Sequence, residues 1–155
     1  MKVFRLLLGS LLLLGVATLS GCKKEKEEVK VDKRDQYVGT WNYTQTGSMT
    51  LYHNGEAVYT VPMDGSGTMS ITKSGENDLI IDGVKFTVNG NNLTAPTQSL
   101  TDASDGFNYV ATITTDNGTL APNVITINNS ITGTWNNSDG DTGNLSGTLT
   151  TILTK

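Results

Sequence analysis

From residue 37 onward, apolar and polar side chains alternate along short stretches of the chain. Val84, Phe86 and Val88 are separated by polar residues, and the stretches 107–114 and 145–153 show the same period of two. Such alternation indicates strands with one face on a core and the other in water, which is typical of antiparallel sheets rather than parallel ones. No stretch of this region shows a sustained helical repeat with a capping box.

Turn dipeptides divide this pattern into eleven predicted strands. The strands are predicted near 37–46, 48–53, 57–63, 67–73, 78–82, 84–89, 92–101, 107–115, 119–128, 130–136 and 144–154. The turns are predicted at Asn54-Gly55, Asp64-Gly65, Asp82-Gly83, Asn89-Gly90, Asn117-Gly118 and Asp139-Gly140. The fold class is therefore all-β: an antiparallel up-and-down β-barrel, with a β-sandwich as the alternative. The barrel is favoured because closure removes exposed strand edges.

Residues 1–21 have the features of an export signal. Lys2 and Arg5 precede an apolar run that extends to Leu19, and small residues follow it. The run is interrupted by Gly9, Ser10 and Gly15 and is shorter than the roughly 20 apolar residues that a spanning helix needs. The pattern thus predicts a signal peptide rather than a transmembrane helix.

The end of that signal, Leu19-Ser20-Gly21-Cys22, resembles the lipobox of bacterial lipoproteins. Cys22 is the only cysteine of the chain, so it has no partner for an intramolecular disulfide. The resemblance implies that diacylglycerol is attached to Cys22 and that this lipid anchors the protein to a membrane. It also implies a cell-envelope location, and Lys23 directly after the cysteine is compatible with sorting to the outer membrane, facing either the periplasm or the cell surface.

Residues 22–36 are predicted to form a tether. After Cys22, this segment holds six basic and five acidic side chains with only two valines. It offers too little apolar surface to offset the entropy of ordering, so a flexible tether is expected, with a charged helical stalk as the alternative. The folded domain is then predicted to be residues 37–155.

Charge and composition exclude several functions for residues 37–155. The segment has three basic residues against ten acidic ones, so it lacks the Lys/Arg clusters that bind nucleic acid. His53 is the only histidine, which excludes a multi-histidine metal site, and its place beside Asn54-Gly55 indicates a solvated turn. No nucleophile elbow is present, and Cys22 is assigned to lipid. We therefore expect neither an enzyme nor a bound cofactor.

Gly39-Thr40-Trp41 at the start of the first predicted strand resembles the Gly-x-Trp signature of lipocalins and fatty-acid-binding proteins. Together with the lipobox, this makes the chain similar to lipocalin-like lipoproteins of Bacteroidetes. The resemblance implies a barrel in which Trp41 closes one end. Lipocalins usually place a basic side chain from a late strand over this Trp, whereas no Arg follows Arg34 here. A second copy of the triplet, Gly133-Thr134-Trp135, indicates a second aromatic plug.

Three functions remain open at this stage. The leading hypothesis is a barrel that binds a small apolar or amphipathic ligand. Its candidate lining residues are aromatic, and ordinary core packing is the alternative role for each: Trp41, Tyr43, Phe86, Phe107, Tyr109 and Trp135. A carbohydrate- or protein-binding module would instead expose Tyr37, Tyr43, Tyr52, Tyr59 and Trp135 as stacking platforms. A structural envelope component without a ligand would have a sealed, filled barrel.

One further stretch has the composition of a calcium loop. Asn137, Asp139 and Asp141 alternate like oxygen ligands, but Thr142 and Thr148 stand where an EF-hand loop needs glycine and an acid. A long hairpin turn is therefore preferred over a Ca²⁺ site.

Overall fold

The computed structural model describes residues 31–104 and 106–155. A short 3-10 helix, Lys33–Tyr37, is followed by ten strands. The strands are β1 Gly39–His53, β2 Glu56–Pro62, β3 Gly65–Ser74, β4 Asp78–Ile81, β5 Val84–Asn89, β6 Asn92–Thr94, β7 Gln98–Ser104, β8 Phe107–Ala121, β9 Val124–Asn137 and β10 Thr142–Thr154. Within these residues no helix is long and apolar enough to cross a membrane. The signal peptide, Cys22 and most of the predicted tether lie outside the described residues.

All strand pairings are antiparallel, and eight strands form a hydrogen-bonded ring. The ring runs β10-β9-β8-β6-β5-β4-β3-β1 and closes through pairing of β1 with β10. Once β2 and β7 are set aside, neighbours in the ring follow one another along the chain, so the topology is up-and-down. The all-β prediction is confirmed.

The long strands β1 and β8 each pair with two different strands along one edge. The first half of β1 pairs with β3 and its second half with β2, while the first half of β8 pairs with β7 and its second half with β6. Six strands therefore surround one half of the molecule, in the order β2-β1-β10-β9-β8-β7. Within residues 31–104 and 106–155, β2 and β7 do not pair with each other, so this half, the six-strand half, has a gap between them.

Several predicted boundaries differ from the structure. β1 is one strand rather than two, and the predicted strand 119–128 contains a turn at Pro122-Asn123, where Asn123 has φ 61°. The prediction of a turn at Asn117-Gly118 is wrong, because β8 continues through it with a bulge after Thr115. Gly118 packs against β6: a Cβ there would lie 2.7 Å from the Leu93 Cβ, so the glycine permits close strand approach.

Two apolar clusters fill the interior. The lower cluster lies in the closed ring and includes Trp41, Ile71, Leu79, Phe86 and Leu153, all buried. The upper cluster lies in the six-strand half and includes Leu51, Tyr109, Ile131, Trp135 and Leu145. This arrangement follows from the odd-numbered residues of β1, β9 and β10 facing inward.

A polar layer separates the two clusters. The Gln45 Nε2 donates to the Thr151 Oγ1 at 3.2 Å, and the Thr115 Oγ1 donates to the Asn129 Oδ1 at 2.9 Å. Thr151 is buried, and the other three side chains are half-buried. Each of these side chains thereby satisfies part of its hydrogen-bonding capacity inside the barrel.

The compact unit begins at Val31, so residues 31–36 belong to it although the sequence places them in the tether. Arg34 connects the 3-10 helix to the barrel: its Nη1 donates to the carbonyl oxygens of Ser74, Gly75 and Asp78 at 3.4, 3.2 and 3.0 Å. Its Nη2 also pairs with Asp32 at 2.7 Å. Arginine's several donors allow one side chain to make all these contacts.

Candidate functional site: a side cleft in the six-strand half

The gap between β2 and β7 opens into a cleft of about 350 Å³. We call it the side cleft. Its lining residues are Gln45, Met49, Val61, Pro62, Met63, Asp64, Leu100, Asp102, Tyr109, Ala111, Ile131 and Leu149. The volume falls at the lower end of the range for small-molecule sites, and the lining is mostly apolar with a few polar groups, as such sites usually are.

Strand register explains why these residues meet. On β7, Leu100 and Asp102 stand opposite Ala111 and Tyr109 of β8, which are buried and face inward. On β2, Val61 stands opposite Met49 of β1. The two strands at the sides of the gap thus present their inward-facing side chains to the same space.

The lower side of the gap is tied to the barrel through Gly47. The Met63 N–H donates to the Gly47 carbonyl at 2.9 Å, and the Gly47 N–H donates to the Asp64 Oδ1 at 3.3 Å. These two bonds hold residues 63 and 64 against the middle of β1. Gln45, in the polar layer, also lines the side cleft, so the cleft reaches from the upper cluster to that layer.

An aromatic group bounds the top of this half. Tyr59 of β2 stacks on Phe107 of β8 across the gap, with ring centroids 5.7 Å apart and planes at 15°. Phe107 also meets Trp135 edge-on at 5.3 Å. Offset and edge-to-face contacts of this kind are favourable, so the aromatic rings link the two sides of the opening above the cleft.

The structure distributes the six predicted lining residues among different places. Only Tyr109 lines the side cleft. Phe107 and Trp135 belong to the aromatic group above it, whereas Trp41, Tyr43 and Phe86 lie in or against the lower cluster. Phe86 also lines a smaller hollow of about 190 Å³ beside the polar layer. Gln45 lines this hollow as well as the side cleft.

The two tryptophans of the Gly-Thr-Trp triplets occupy equivalent roles in different clusters. The Trp41 Nε1 donates to the Tyr37 carbonyl at 2.8 Å, and the Trp135 Nε1 donates to the Tyr52 carbonyl at 3.2 Å. Both rings are buried. The Lys155 Nζ lies 5.5 Å from the centroid of the Trp41 ring, so a basic side chain following the last strand does cover this Trp.

The proposed stacking platforms are mostly not surface-exposed. Tyr37 and Trp135 are buried, and Tyr43 packs against the lower cluster. Tyr59 is 42% exposed but stacks on Phe107, and Tyr52 is half-buried. Tyr52 lies on the outer face, in a shallow groove, whereas the other four of these aromatic side chains pack in or against the interior clusters.

His53 and the calcium-like stretch have structural partners. The His53 Nδ1 is 2.9 Å from the Thr142 carbonyl oxygen, and the ring is half-buried beside Trp135, so it is less solvated than its turn position predicts. The Asn137 Oδ1 accepts from the backbone N–H groups of Asp139 and Asp141 at 3.1 and 2.8 Å. This is the geometry of a side-chain-stabilised hairpin loop. Among the described residues no three acidic, histidine or cysteine side chains are grouped to hold a metal ion.

The residues that sequence reasoning missed are the aliphatic, thioether and acidic ones, notably Met49, Ala111, Leu149, Asp64 and Asp102. Met49 and Leu149 lie on strands whose alternation places them inside, so their inward orientation was available from the sequence. The sequence does not show that they line a cleft, because the gap depends on which edges of β2 and β7 remain unpaired.

No protein-family model and no curated protein matches the chain. A solved structure of a protein of unknown function from Bacteroides ovatus, at 2.61 Å resolution, is similar over 76% of this chain at 10% sequence identity and a TM-score of 0.26. The matched region covers 47% of that protein, so this chain corresponds to less than half of its length.

Proposed function

We propose that the protein is a non-enzymatic, membrane-anchored envelope lipoprotein whose lipocalin-like barrel binds a small apolar or amphipathic ligand in the side cleft. One observation carries the binding proposal: the gap between β2 and β7 opens onto apolar side chains of the upper cluster. Met49, Tyr109, Ile131 and Leu149 would contact the apolar part of such a ligand, whose transfer from water stabilises the complex.

The lipocalin-like assignment draws support from Trp41. Its buried ring, the eight-strand ring and the lysine over its face fit the arrangement that the Gly39-Thr40-Trp41 resemblance implies. The anchoring part of the proposal rests on Leu19-Ser20-Gly21-Cys22 alone. Exported behind a signal whose cleavage does not need Cys22, a Cys22→Ser variant should leave the membrane fraction after cell fractionation, and a variant that stays there would contradict anchoring by a lipid on Cys22.

The binding proposal is tested on residues 22–155 with Cys22→Ser, exported to the periplasm of its own host behind a signal whose cleavage does not need Cys22, and purified without detergent. Native mass spectrometry followed by organic extraction should reveal a small apolar or amphipathic molecule bound at one per chain. Ala111→Leu places extra methyl groups at the cleft and should abolish that adduct. Val110→Leu is the matched control, because Val110 is adjacent to Ala111 on β8 and is 57% exposed on the outer face.

A melting curve for both variants separates loss of binding from loss of the fold. Ala111 is buried, so overpacking there costs about 1–3 kcal/mol. An Ala111→Leu protein that melts cooperatively but still carries the ligand would contradict binding in the side cleft. If the protein without the Ala111 substitution has the mass of the chain alone, with no bound molecule, the result would favour a structural role instead.

A second candidate, binding of a neutral glycan, is favoured by the outer face of the six-strand half. A row of hydroxyl side chains crosses all six strands in register: Thr60, Thr50, Ser146, Thr132, Thr112 and Ser99. Tyr52 lies beside this row in a shallow groove that also includes Ser48 and Thr148. Binding to a glycan array that Tyr52→Ala removes, and that Ala111→Leu leaves intact, would favour this candidate.

A further inference from the structure

The side cleft is apolar inside and carries charge of one sign at its opening. Asp64 and Asp102 are its charged lining residues, and no described residue that lines it is basic. An amphipathic ligand with its tail against Leu149 and Ile131 would therefore have its headgroup near two carboxylates.

The two carboxylates come from opposite sides of the opening. Asp64 lies two residues after the end of β2, and Asp102 lies on β7 opposite Tyr109. One oxygen of each is held by backbone: the Asp64 Oδ1 accepts from the Gly47 N–H at 3.3 Å, and the Asp102 Oδ1 accepts from the Ala103 N–H at 2.8 Å. These bonds fix both side chains beside the cleft, while both residues remain exposed to solvent.

The distribution of charge over the rest of the barrel reinforces this sign. The basic residues from position 31 onward are Lys33, Arg34, Lys73, Lys85 and Lys155. They lie on the 3-10 helix, on β3 and β5, and after β10, whereas Glu56, Asp116, Asp139 and Asp141 join the two cleft carboxylates on or beside strands of the six-strand half. No described basic side chain therefore lies beside the opening to offset the charge of the two cleft carboxylates.

We infer that the side cleft selects amphiphiles with a cationic headgroup and discriminates against anionic ones such as fatty-acid carboxylates, with Asp64 and Asp102 determining this specificity. The inference rests on the proposed function, because it concerns the headgroup of a ligand whose tail occupies that cleft. Exposed ion pairs are weak individually, so the two together should produce a preference on the order of tenfold.

Three probes with the same octyl tail test the headgroup: octyltrimethylammonium, octanoate and octyl glucoside, each titrated by calorimetry below its micelle concentration at pH 7. The mature chain with Cys22→Ser is used. The cation should bind about tenfold more tightly than octanoate, with octyl glucoside between them, and the preference should shrink at high salt.

Asp64→Asn and Asp102→Asn keep the shape and the oxygen that accepts the backbone N–H, so they remove charge alone. Each should reduce the preference by about threefold, and the double variant should abolish it while leaving octyl glucoside binding unchanged. Asp116→Asn is the control, since Asp116 is exposed on the β8 bulge outside the cleft.

The outcomes separate the two proposals. Binding of all three probes with similar affinity, or a preference that persists in the double variant, would overturn charge selection and leave ligand binding in place. Binding of none of the probes would overturn both the inference and the side cleft as an amphiphile site.

Discussion

Asp32 combines three contacts at the start of the folded unit. It caps the 3-10 helix by accepting from the Arg34 N–H at 3.0 Å, pairs with the Arg34 guanidinium, and lies 3.2 Å from the Lys73 Nζ. The hydrogen bonds from Arg34, with a smaller contribution from Lys73, hold the pKa of Asp32 far below its usual range. The hydrogen bond to Asp32 also raises the pKa of Arg34, whereas the pKa of Lys73 is raised chiefly by its hydrogen bond to Asp35 and next by its hydrogen bond to Asp32.

These shifts predict an acid-sensitive contribution to stability. A carboxyl group with a lowered folded pKa contributes fully above its unfolded pKa of about 3.9, and the contribution is lost as pH falls toward the folded value. Asp32→Asn keeps an oxygen for the cap but removes the charge. The variant should melt below the wild type at pH 7, and the gap should narrow steadily below about pH 4.

Melting curves from pH 7 to pH 2, followed by circular dichroism, check this. Glu76→Gln, an exposed carboxyl in the neighbouring β3–β4 turn, controls for the general effect of removing one negative charge. A gap between wild type and Asp32→Asn that stays constant through this range would contradict the assigned role of the Asp32 charge.

At the scale of strands, inward-facing glycines allow the six-strand half to bend. Gly133 stands opposite Ala111 and Leu145, and a Cβ on it would lie 2.1 Å from the Val110 carbonyl oxygen and 2.8 Å from the Ala111 Cα. These are backbone contacts, which a small rotation of a side chain cannot relieve. Gly133 therefore permits the close approach of β8 and β9 behind the side cleft.

Gly133→Ala should accordingly destabilise the fold by about 1–3 kcal/mol, through displacement of the β8 backbone. Gly65→Ala is the matched control, because its Cβ would meet only the Gln45 Oε1 at 3.6 Å, an ordinary contact. Urea unfolding measures both. A Gly133→Ala protein as stable as the Gly65→Ala protein would show that β8 and β9 can separate without cost.

Turns show what the sequence could predict at this scale. Asn54-Gly55 and Asp82-Gly83 join strands with two positive-φ residues, which few other residue pairs adopt easily, so those predictions are correct. Asn117-Gly118 has the same composition, yet it lies inside β8. There the glycine is needed because a side chain at position 118 would collide with Leu93. Local composition cannot distinguish the two uses, because the second depends on a strand that is distant in sequence.

At the scale of the whole molecule, alternation and turn residues were sufficient to predict an antiparallel up-and-down barrel. They could not predict the side cleft. The cleft exists because β1 and β8 are each longer than one neighbouring strand and pair with a second strand along the same edge. Aromatic residues were the sequence candidates for a ligand site, but their size serves packing first: Trp41 and Phe86 fill the lower cluster. The cleft is lined instead by side chains whose position depends on the register of β2 and β7.

The same topology predicts an uneven pattern of amide exchange. Within residues 31–104 and 106–155, β2 pairs only with β1 and β7 only with β8, whereas β9 and β10 are paired on both sides for most of their length. Amides of β2 and β7 that point into the gap should exchange orders of magnitude faster than those of β9 and β10. Hydrogen exchange followed by nuclear magnetic resonance resolves this residue by residue.

The direction of these two strands gives the measurement a sharp alternative outcome. Counting antiparallel pairings around the six-strand half, β2 and β7 run antiparallel to each other, so they could pair directly and close the gap. Alternate amides of each strand would then be as protected as those of β9, and the side cleft would be shut in the free protein. Fast exchange along both edges, slowed when octyltrimethylammonium is added, would instead show an open cleft that a ligand stabilises.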